Sequence, residues 1–544
     1  MHTPDGTWNI NNNFPKLASS DAHLFGKPKV WAEEGGGVGI DGKYQLDFQL
    51  VRGVNALEIR VPVLRGNFGP ATADASATPP PAPPEAKMIA WYTNRGGYLM
   101  AIGRPAAQVG LYHPGNSIWM GGDAATEADR STTKLGWQLF EHQVDWDYFD
   151  EQSLTSVAKL ENGGFTNLSG QTYKAIVLPS MTVISRTGLA RLREFAKEGG
   201  KVIFVGKTPS LILDKTFMDA KEKPDLSFAT LIESSGDITP AVLAALPRPD
   251  VKLDAEFKRL TYTHRRWTDG DMYFFFNESD KAETRSVTLQ GRGAVQDWDL
   301  GTGEIHLMSG PAYGSDGVTI PLALAPYEAK VIVVGPLPKD MAGTVEPSFG
   351  GAGDTMATLD GDWSVALNGK DSATELKPWE ALGTTGFAGP ATYKRQFTVA
   401  ATPRGKHVYL EIGDVHDYAR VTLNGKDVGE RAWQPYRWDV TSALRKGTND
   451  LEIVVNATPA GRGPGGGPPP AAAPAAPAVG LATAPPAGAG GAAGGAGGQR
   501  RRQGAGAPGA AGAGASPQAP TAAARTAAPP ATSGLLGPVT LVAR

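Results

Sequence analysis

The chain has 544 residues, a formal net charge of −3 and no Cys. The absence of Cys excludes disulfides, thiolate metal sites, iron–sulfur clusters and Cys nucleophiles. The mildly acidic charge argues against nucleic-acid binding as the main function. There is no run of 18 apolar residues, so no membrane-spanning helix is predicted.

Residues 461–530 are expected to form a disordered insertion. Gly, Pro and Ala make up 56 of these 70 residues, and the segment has no aromatic or acidic residue. Such a composition offers too little apolar surface to offset the entropy lost on ordering the chain. An apolar stretch, residues 533–542, follows the segment. We predict that it is the closing strand of the β domain formed by residues 353–457.

Residues 1–115 have the pattern of a parallel α/β unit. Residues 14–25 predict a helix, and residues 29–33 predict a short strand. Residues 57–64 predict a second strand. Residues 43–51 fit the helical and the strand period equally well. A Gly- and Pro-rich loop over 66–86 leads to a further helix and to a strand over 108–112.

Residues 116–245 predict an open α/β domain. Residues 174–179 and 201–205 are apolar, as expected of buried parallel strands. Ser185 is predicted to cap a helix whose Leu189, Leu192 and Phe195 share one face. The pattern resembles the glutamine-amidotransferase-like fold. Because the chain has no Cys nucleophile, we expect this domain to be a scaffold.

The C-terminal part predicts two β domains. Residues 250–340 contain short apolar runs divided by Gly- and Asp-rich turns, which indicates a small β-sandwich. Residues 353–457 are again strand-rich, and Asn424-Gly425 between two apolar runs is a strong hairpin signal. His264-Arg265-Arg266 is interpreted as a structural turn.

Two groups of carboxylates are candidates for chemistry. Glu33-Glu34 follows a strand directly, and catalytic groups sit at that end of parallel strands; the alternative is a pair of solvated loop residues. Asp145 and Asp147 alternate beside aromatic residues, as in a sugar site, or else form a polar edge before the next helix. The glycine pattern at 37–42 resembles a dinucleotide motif, but neighbouring Glu33-Glu34 would repel a pyrophosphate.

The last β domain resembles a known sugar-binding fold. The run from Gly413 to Gly425, then Trp433-Gln434-Pro435-Tyr436 and the run from Gly447 to Ile453, resembles the galactose-binding-like jelly roll of family-2 glycoside hydrolases.

Most of the chain outside 461–530 resembles a second family, the family-106 glycoside hydrolases, which are α-L-rhamnosidases. About ten short motifs occur in the order seen in that family. They include residues 15–28 with Ala32-Glu33, Gly53-Val54-Asn55, residues 92–99 and 103–109, residues 173–179 and 199–203, residues 273–277, Trp298-Asp299 with Gly301-Thr302-Gly303, and residues 534–539.

This resemblance implies a (β/α)₈ barrel with two catalytic carboxylates, inversion at the anomeric carbon, and calcium in the site. Glu33 occupies the position of one catalytic carboxylate, with its role as acid or base left open. Asp21, His23 and Asp47 are expected to neighbour the substrate. The resemblance places this chain at the last strands of the barrel, so the other carboxylate is expected upstream. Residues 56–62 lack the His residues that the family often directs at the sugar.

We therefore expect a glycoside hydrolase that acts on a carbohydrate, with no nucleic-acid or membrane partner. The alternatives are a non-catalytic carbohydrate-binding or scaffold protein and a family-2, β-galactosidase-like hydrolase. The first residues lack the basic end and apolar stretch of a signal peptide, which predicts a cytoplasmic protein as written. A periplasmic or extracellular location is expected if the true N-terminus lies upstream.

Overall fold

The computed structural model describes residues 14–34, 39–59, 84–216, 222–234, 236–308, 310–337, 353–384, 387, 389–457 and 533–544. The insertion predicted at 461–530 and residues 66–83 of the loop predicted at 66–86 lie outside these ranges. Within them, α/β units are followed by two β-sheet parts, which confirms the predicted multidomain α/β plus β class. No described helix is long and apolar enough to cross a membrane.

The first segment has a strand–helix–strand core. Its elements are α1 (Phe14–Leu24), β1 (Trp31–Glu34), α2 (Gly39–Val51), β2 (Ala56–Ile59) and α3 (Pro84–Ala101). Strands β1 and β2 pair in parallel, with Glu33 opposite Glu58. Residues 43–51, for which two periods were open, are helical, and residues 84–86 belong to α3 and not to the preceding loop.

Asn55 ties both strands to α3. Its side-chain Oδ1 accepts a hydrogen bond from Val30 N at 2.9 Å. Its Nδ2 donates to Pro28 O at 2.9 Å and to Met100 O at 3.4 Å. One side chain thus holds the start of β1, the start of β2 and the end of α3 in register.

The next segment builds a parallel sheet with flanking helices. Its elements are β3 (Arg104–Pro105), β4 (Val109–Tyr112), α4 (Gly115–Trp119), α5 (Gly122–Glu141), β5 (Trp146–Phe149), a π-helical turn (Ser153–Val157), β6 (Lys159–Glu161), β7 (Gly164–Thr166), β8 (Thr172–Tyr173), β9 (Ala175–Leu178), β10 (Val183–Ser185), α6 (Arg186–Lys197), β11 (Lys201–Val205), β12 (Leu211–Leu213), β13 (Thr230–Ile232) and α7 (Pro240–Ala245). The sheet order is β13-β11-β9-β4-β5.

This order corrects the boundary predicted at residue 115. Strand β4 pairs in parallel with β5 and β9, so it belongs to the α/β sheet and not to the β1–β2 unit. The short β3 pairs with a strand of the following β part. The predicted cap of α6 is confirmed, because Ser185 Oγ accepts a hydrogen bond from Gly188 N at 2.8 Å. The likeness to amidotransferases stays a prediction.

The first β part consists of two antiparallel sheets. Its strands are β14 (Val251–Leu253), β15 (Leu260–Arg266), β16 (Asp271–Asn277), β17 (Glu283–Leu289), β18 (Ala294–Trp298), β19 (Ile305–Leu307), β20 (Ala312–Gly314), β21 (Gly317–Leu324) and β22 (Ala329–Gly335). The orders are β14-β17-β21-β20 and β19-β18-β22-β16-β15-β3. Buried side chains from both sheets share one core.

His264 lies within β15, so the turn predicted at His264-Arg265-Arg266 is wrong. The imidazole is fully buried and stacks on Tyr273 at 4.2 Å between ring centroids. Its Nδ1 lies 3.0 Å from Asp250 Oδ2, and its Nε2 lies 2.8 Å from Asp271 Oδ1. Burial opposes the charged ring, but the hydrogen bonds to Asp250 and Asp271 raise the pKa of His264 above its usual value.

The second β part also has two sheets around one core. Its strands are β23 (Asp354–Thr358), β24 (Trp363–Leu367), β25 (Lys370–Thr374), β26 (Ala391–Val399), β27 (Val408–His416), β28 (Tyr418–Leu423), β29 (Lys426–Arg431), β30 (Arg437–Asp439), β31 (Gly447–Asn456) and β32 (Gly534–Ala543). The orders are β23-β32-β27-β30 and β25-β24-β26-β31-β28-β29. The predicted closing strand is confirmed, because β32 pairs with β23 and β27.

Candidate functional site

The carboxyl end of β1 is the candidate catalytic position. The backbone of Glu33 and Glu34 forms the last two residues of this strand, so the predicted strand is present but includes both residues and does not end before them. Asn55 fixes the other end of β1 through its bond to Val30. On the neighbouring strand the residue opposite Glu33 is Glu58, whose side chain is exposed. Glu58 was not predicted as a site residue, although it is the third residue of β2, as Glu33 is of β1.

Asp21 and His23, both predicted to neighbour the substrate, lie on α1 but in different surroundings. Asp21 is exposed, and partial desolvation together with the nearby Asp150 carboxylate raises its pKa. His23 is buried, and its Nδ1 lies 3.0 Å from Asp147 Oδ1. Asp21 stays a candidate for substrate contact, whereas the structure assigns His23 to a buried network between α1 and β5.

That network centres on Asp147, which is fully buried. Its Oδ1 receives Lys16 Nζ at 3.0 Å and Ser20 Oγ at 3.3 Å, in addition to the contact with His23. Its Oδ2 accepts hydrogen bonds from Gln171 Nε2 and Tyr173 Oη, both at 2.9 Å. Both carboxylate oxygens therefore have protein partners.

Asp145, directly before β5, extends the network on the same side as Asp147, as the alternation predicted. Its Oδ1 lies 3.4 Å from Lys16 Nζ, and its Oδ2 accepts a hydrogen bond from Thr263 Oγ1 at 2.9 Å. Burial raises the pKa of Asp145. Burial would also raise the pKa of Asp147, but the charges of Lys16 and His23 hold it well below its usual value. The pair anchors α1 to the sheet, and its buried oxygens do not face a cleft.

Asp47, the third predicted substrate neighbour, lies in a separate group on α2. It is fully buried; its Oδ1 accepts a hydrogen bond from Tyr92 Oη at 2.5 Å, and its Oδ2 pairs with Lys43 Nζ. Lys43 Nζ also lies 4.8 Å from the centre of the Tyr92 ring and 5.8 Å from that of Trp433. This geometry leaves Asp47 no surface with which to touch a substrate, so it positions Lys43 and Tyr92.

Lys16 and Ser20 of this network were not predicted from the sequence, although a signal was present. Lys16, Ser20 and His23 are spaced four and three residues apart, which places them on one face of a helix. A polar stripe of this kind on an otherwise mixed helix indicates a buried partner or a solvated surface. The burial of Lys16 and Ser20 shows that here the stripe faces a partner.

The calcium implied by the family resemblance finds no ligand cluster in the part of the chain that the structure describes. No group of three or more His, Asp or Glu side chains there could hold a metal ion.

Comparison with known proteins confirms both resemblances. A family model described as α-L-rhamnosidase matches residues 6–310, which is more than half of the chain. A model described as the galactose-binding-like domain of family-2 glycosyl hydrolases matches residues 387–462.

Individual relatives show how far the likeness extends. The rhamnosidase from Novosphingobium sp. PP1Y has a similar fold, with a TM-score of 0.63 and 22% identity over 99% of this chain. The match covers 50% of that protein, so this chain spans about half its length. A putative β-glucuronidase from Formosa agariphila is 38% identical over 86 residues, which are 15% of this chain and 7% of that protein. By the match over residues 6–310, the chain belongs to the α-L-rhamnosidase family of glycoside hydrolases, family 106.

Proposed function

We propose that this chain contributes the last strands of a catalytic (β/α)₈ barrel to an inverting α-L-rhamnosidase, with Glu33 as one of its two catalytic carboxylates. The observation that carries the proposal is the match over residues 6–310, which includes the parallel β1–β2 pair with Glu33 near its carboxyl end. Catalytic groups of such barrels lie at that end of the strands. The substrate would be a glycan or glycoside with a terminal rhamnose or a related sugar.

Inversion sets a distance requirement that limits the partner of Glu33. One carboxylic acid protonates the leaving oxygen while the other carboxylate activates a water, and the two groups lie roughly 6.5–9.5 Å apart. Glu58 is on the adjacent strand, and adjacent strands are only about 4.8 Å apart. Asp147 has both oxygens bonded inside the protein. We therefore assign the second carboxylate to barrel strands other than β1 and β2, and leave open whether Glu33 is the acid or the base.

Substitution of Glu33 tests this assignment in a version of the protein that carries the remaining barrel strands. Glu33→Gln should lower hydrolysis of an aryl α-L-rhamnoside by about 10²-fold or more, because general acid–base catalysis contributes 10²–10⁴-fold. Glu34→Gln and Glu58→Gln are matched controls and should have smaller effects. A larger loss with Glu34→Gln would show that the register is off by one residue.

A non-catalytic carbohydrate-binding role for this chain by itself is the second candidate. It is favoured by the match of residues 387–462 to a galactose-binding-like domain. Under either reading, the 544-residue chain alone should show no turnover of aryl α-L-rhamnosides above background. Robust hydrolysis by this chain alone would refute the assignment of the second catalytic carboxylate to barrel strands outside these 544 residues.

A further inference from the structure

A cavity of about 150 Å³ lies where α2, α3 and the two β parts meet. We call it the junction cavity. The residues that matter for its chemistry are Lys43 and Tyr92 from the helices, Trp298 and Glu304 from the first β part, and Arg431 and Gln434 from the second. None of these residues belongs to the carboxyl end of β1, so the cavity is a different site from the candidate catalytic position.

The walls of the junction cavity are held by hydrogen bonds behind them. Asp47 bonds to Lys43 and Tyr92 on the helical side. Arg95 of α3 donates to Leu300 O at 2.7 Å and to Gly301 O at 2.8 Å, which fixes the turn after β18. A site with prearranged walls loses less entropy when a ligand binds.

The charges that line the cavity largely compensate one another. Lys330 Nζ lies 3.1 Å from Asp297 Oδ2 and 3.5 Å from Glu328 Oε1. On the other side, Arg437 Nε lies 2.7 Å from Glu411 Oε1. Because these charged groups already have partners of opposite sign, the lining favours a polar but uncharged ligand over an ion.

Several polar groups and one aromatic face remain for such a ligand. Within the described residues, the side chain of Gln434 makes no hydrogen bond, and the guanidinium of Arg431 makes one, to Glu430 O at 3.1 Å. Glu304 has a side chain that is 64% exposed and offers acceptor oxygens toward solvent. Trp298 is partly exposed, and its ring is oriented by the hydrogen bond from Nε1 to Gln296 Oε1 at 3.1 Å.

We propose that the junction cavity is a second carbohydrate site, which binds one uncharged sugar ring. Amide, guanidinium and carboxylate groups can exchange hydrogen bonds with sugar hydroxyls, and an indole face packs against the apolar face of the ring. A cavity of about 150 Å³ holds a molecule of the size of benzene, so a larger sugar ring would enter it in part and keep its remaining hydroxyls at the exposed side, next to Glu304. This binding goes beyond the proposed hydrolysis and does not depend on it.

The location suggests what the site does for a longer glycan. Helix α2 begins after the carboxyl end of β1, and α3 begins after that of β2. Lys43 and Tyr92 lie in the first halves of these helices. A sugar in the junction cavity would therefore lie beside the helices of the unit that carries Glu33, as a second residue of a longer glycan.

Sugar titrations of the purified 544-residue chain test the proposal. The probes are L-rhamnose, D-galactose and the anionic D-glucuronate, followed by saturation-transfer difference NMR. Arg431→Gln combined with Gln434→Ala should weaken binding of a neutral sugar by about tenfold, the effect of losing 1.4 kcal/mol. Trp298→Phe should weaken it by a smaller factor.

Two controls separate this site from others. Arg420→Gln changes the same residue type on the neighbouring strand β28, where Arg420 pairs with Asp427 at the surface, and should leave binding unchanged. The catalytic assignment is tested by hydrolysis with Glu33→Gln, and this proposal is tested by sugar binding to the Arg431 and Gln434 variants, so failure of one is distinguishable from failure of the other. Melting curves of Gln434→Ala alone check that the fold is kept.

Three results would overturn the proposal. The first is that no neutral sugar binds at tens of millimolar. The second is that only D-glucuronate binds, which would mean that the lining selects an anion. The third is that neutral sugars bind the Arg431 and Gln434 variants as tightly as the parent chain, which would place their binding elsewhere.

Discussion

Substitution of Lys16 by Met should destabilise the attachment of α1 to the α/β sheet. Lys16 Nζ lies 3.0 Å from Asp147 Oδ1 and 3.4 Å from Asp145 Oδ1, and all three side chains are at most 4% exposed. Loss of one partner from a buried ion pair costs 3–5 kcal/mol, because a buried charge is left uncompensated. Asp147 keeps its other hydrogen bonds, so we expect the lower end, about 3 kcal/mol.

The loss should be measured by hydrogen exchange in α1 and by thermal melting. Lys134→Met is a matched control, because Lys134 pairs with Asp237 while 39% of its side chain is exposed; it should cost less than about 1 kcal/mol. The low pKa of Asp147 stabilises the fold above about pH 3.9, the unfolded value, and this contribution is lost as the pH falls through the folded value. The deficit of Lys16→Met should therefore narrow on acidification. A deficit equal to the control's, or one that does not change with pH, would refute this reasoning.

Two further substitutions test the first β part. His264→Asn should remove a stabilisation that is fully present below about pH 6.5 and is lost as the pH rises through the raised pKa of the folded state, because only the protonated ring bridges its two flanking carboxylates. Melting temperatures of parent and variant below and above this pH range test the prediction. Equal pH dependence of the two melting temperatures would contradict it. Gly317→Ala should cost roughly 3 kcal/mol by denaturant unfolding, because Gly317 has φ +129° and a Cβ there would meet Leu289 O at 1.9 Å. Gly310→Ala, with φ +74° and no heavy atom within 4 Å of its Cβ, is the control; equal losses would show that the contact with Leu289 is not the cause.

Local features of the fold could be predicted because their causes lie within a few residues. The cap at Ser185 needs only a side-chain oxygen three residues before an N–H. The hairpin at Asn424-Gly425 follows from two residues that adopt positive φ, 54° and 78°. Apolar runs such as β11 likewise indicate buried strands, because the pattern lies within the strand itself. The position of Glu33 at a strand end could likewise be predicted from the run before it.

The buried polar groups could not be predicted, because their burial depends on distant parts of the chain. Lys43 and Asp47 are four residues apart, which in isolation indicates a solvated pair on a helix surface. Here Trp433, nearly four hundred residues further along the chain, packs beside Tyr92 and covers them. His264 looked like part of a turn because its two carboxylate partners are not adjacent to it in sequence. The second catalytic carboxylate stays a prediction for the same reason, since it depends on strands outside β1 and β2.

The closing strand β32 was predicted from the sequence and is confirmed by the structure. It lies between β23 and β27 in its sheet, and it buries Leu535, Val539 and Leu541 to 1% exposure or less. Burial of one such side chain contributes about 1.5–3 kcal/mol, so the three together contribute about 5–9 kcal/mol. This is comparable with the total stability of about 5–15 kcal/mol typical of a domain.

We therefore expect a chain ended at residue 532 to lose the cooperative unfolding transition of the second β part, whereas replacement of 461–531 by a flexible linker should leave its melting temperature nearly unchanged. The linker is feasible because Asn456 pairs with Tyr418 of β28 and Gly534 pairs with His416 of β27, and these two partners are only two residues apart in the chain. His416 and Tyr418 are therefore at most roughly 7 Å apart, so their partners lie close enough for a linker of about ten Gly and Ser residues to join them. Differential scanning calorimetry of both variants gives the answer. An unchanged transition in the truncated chain would show that β32 is dispensable, and a lost transition in the linker variant would show that residues 461–531 stabilise the domain themselves.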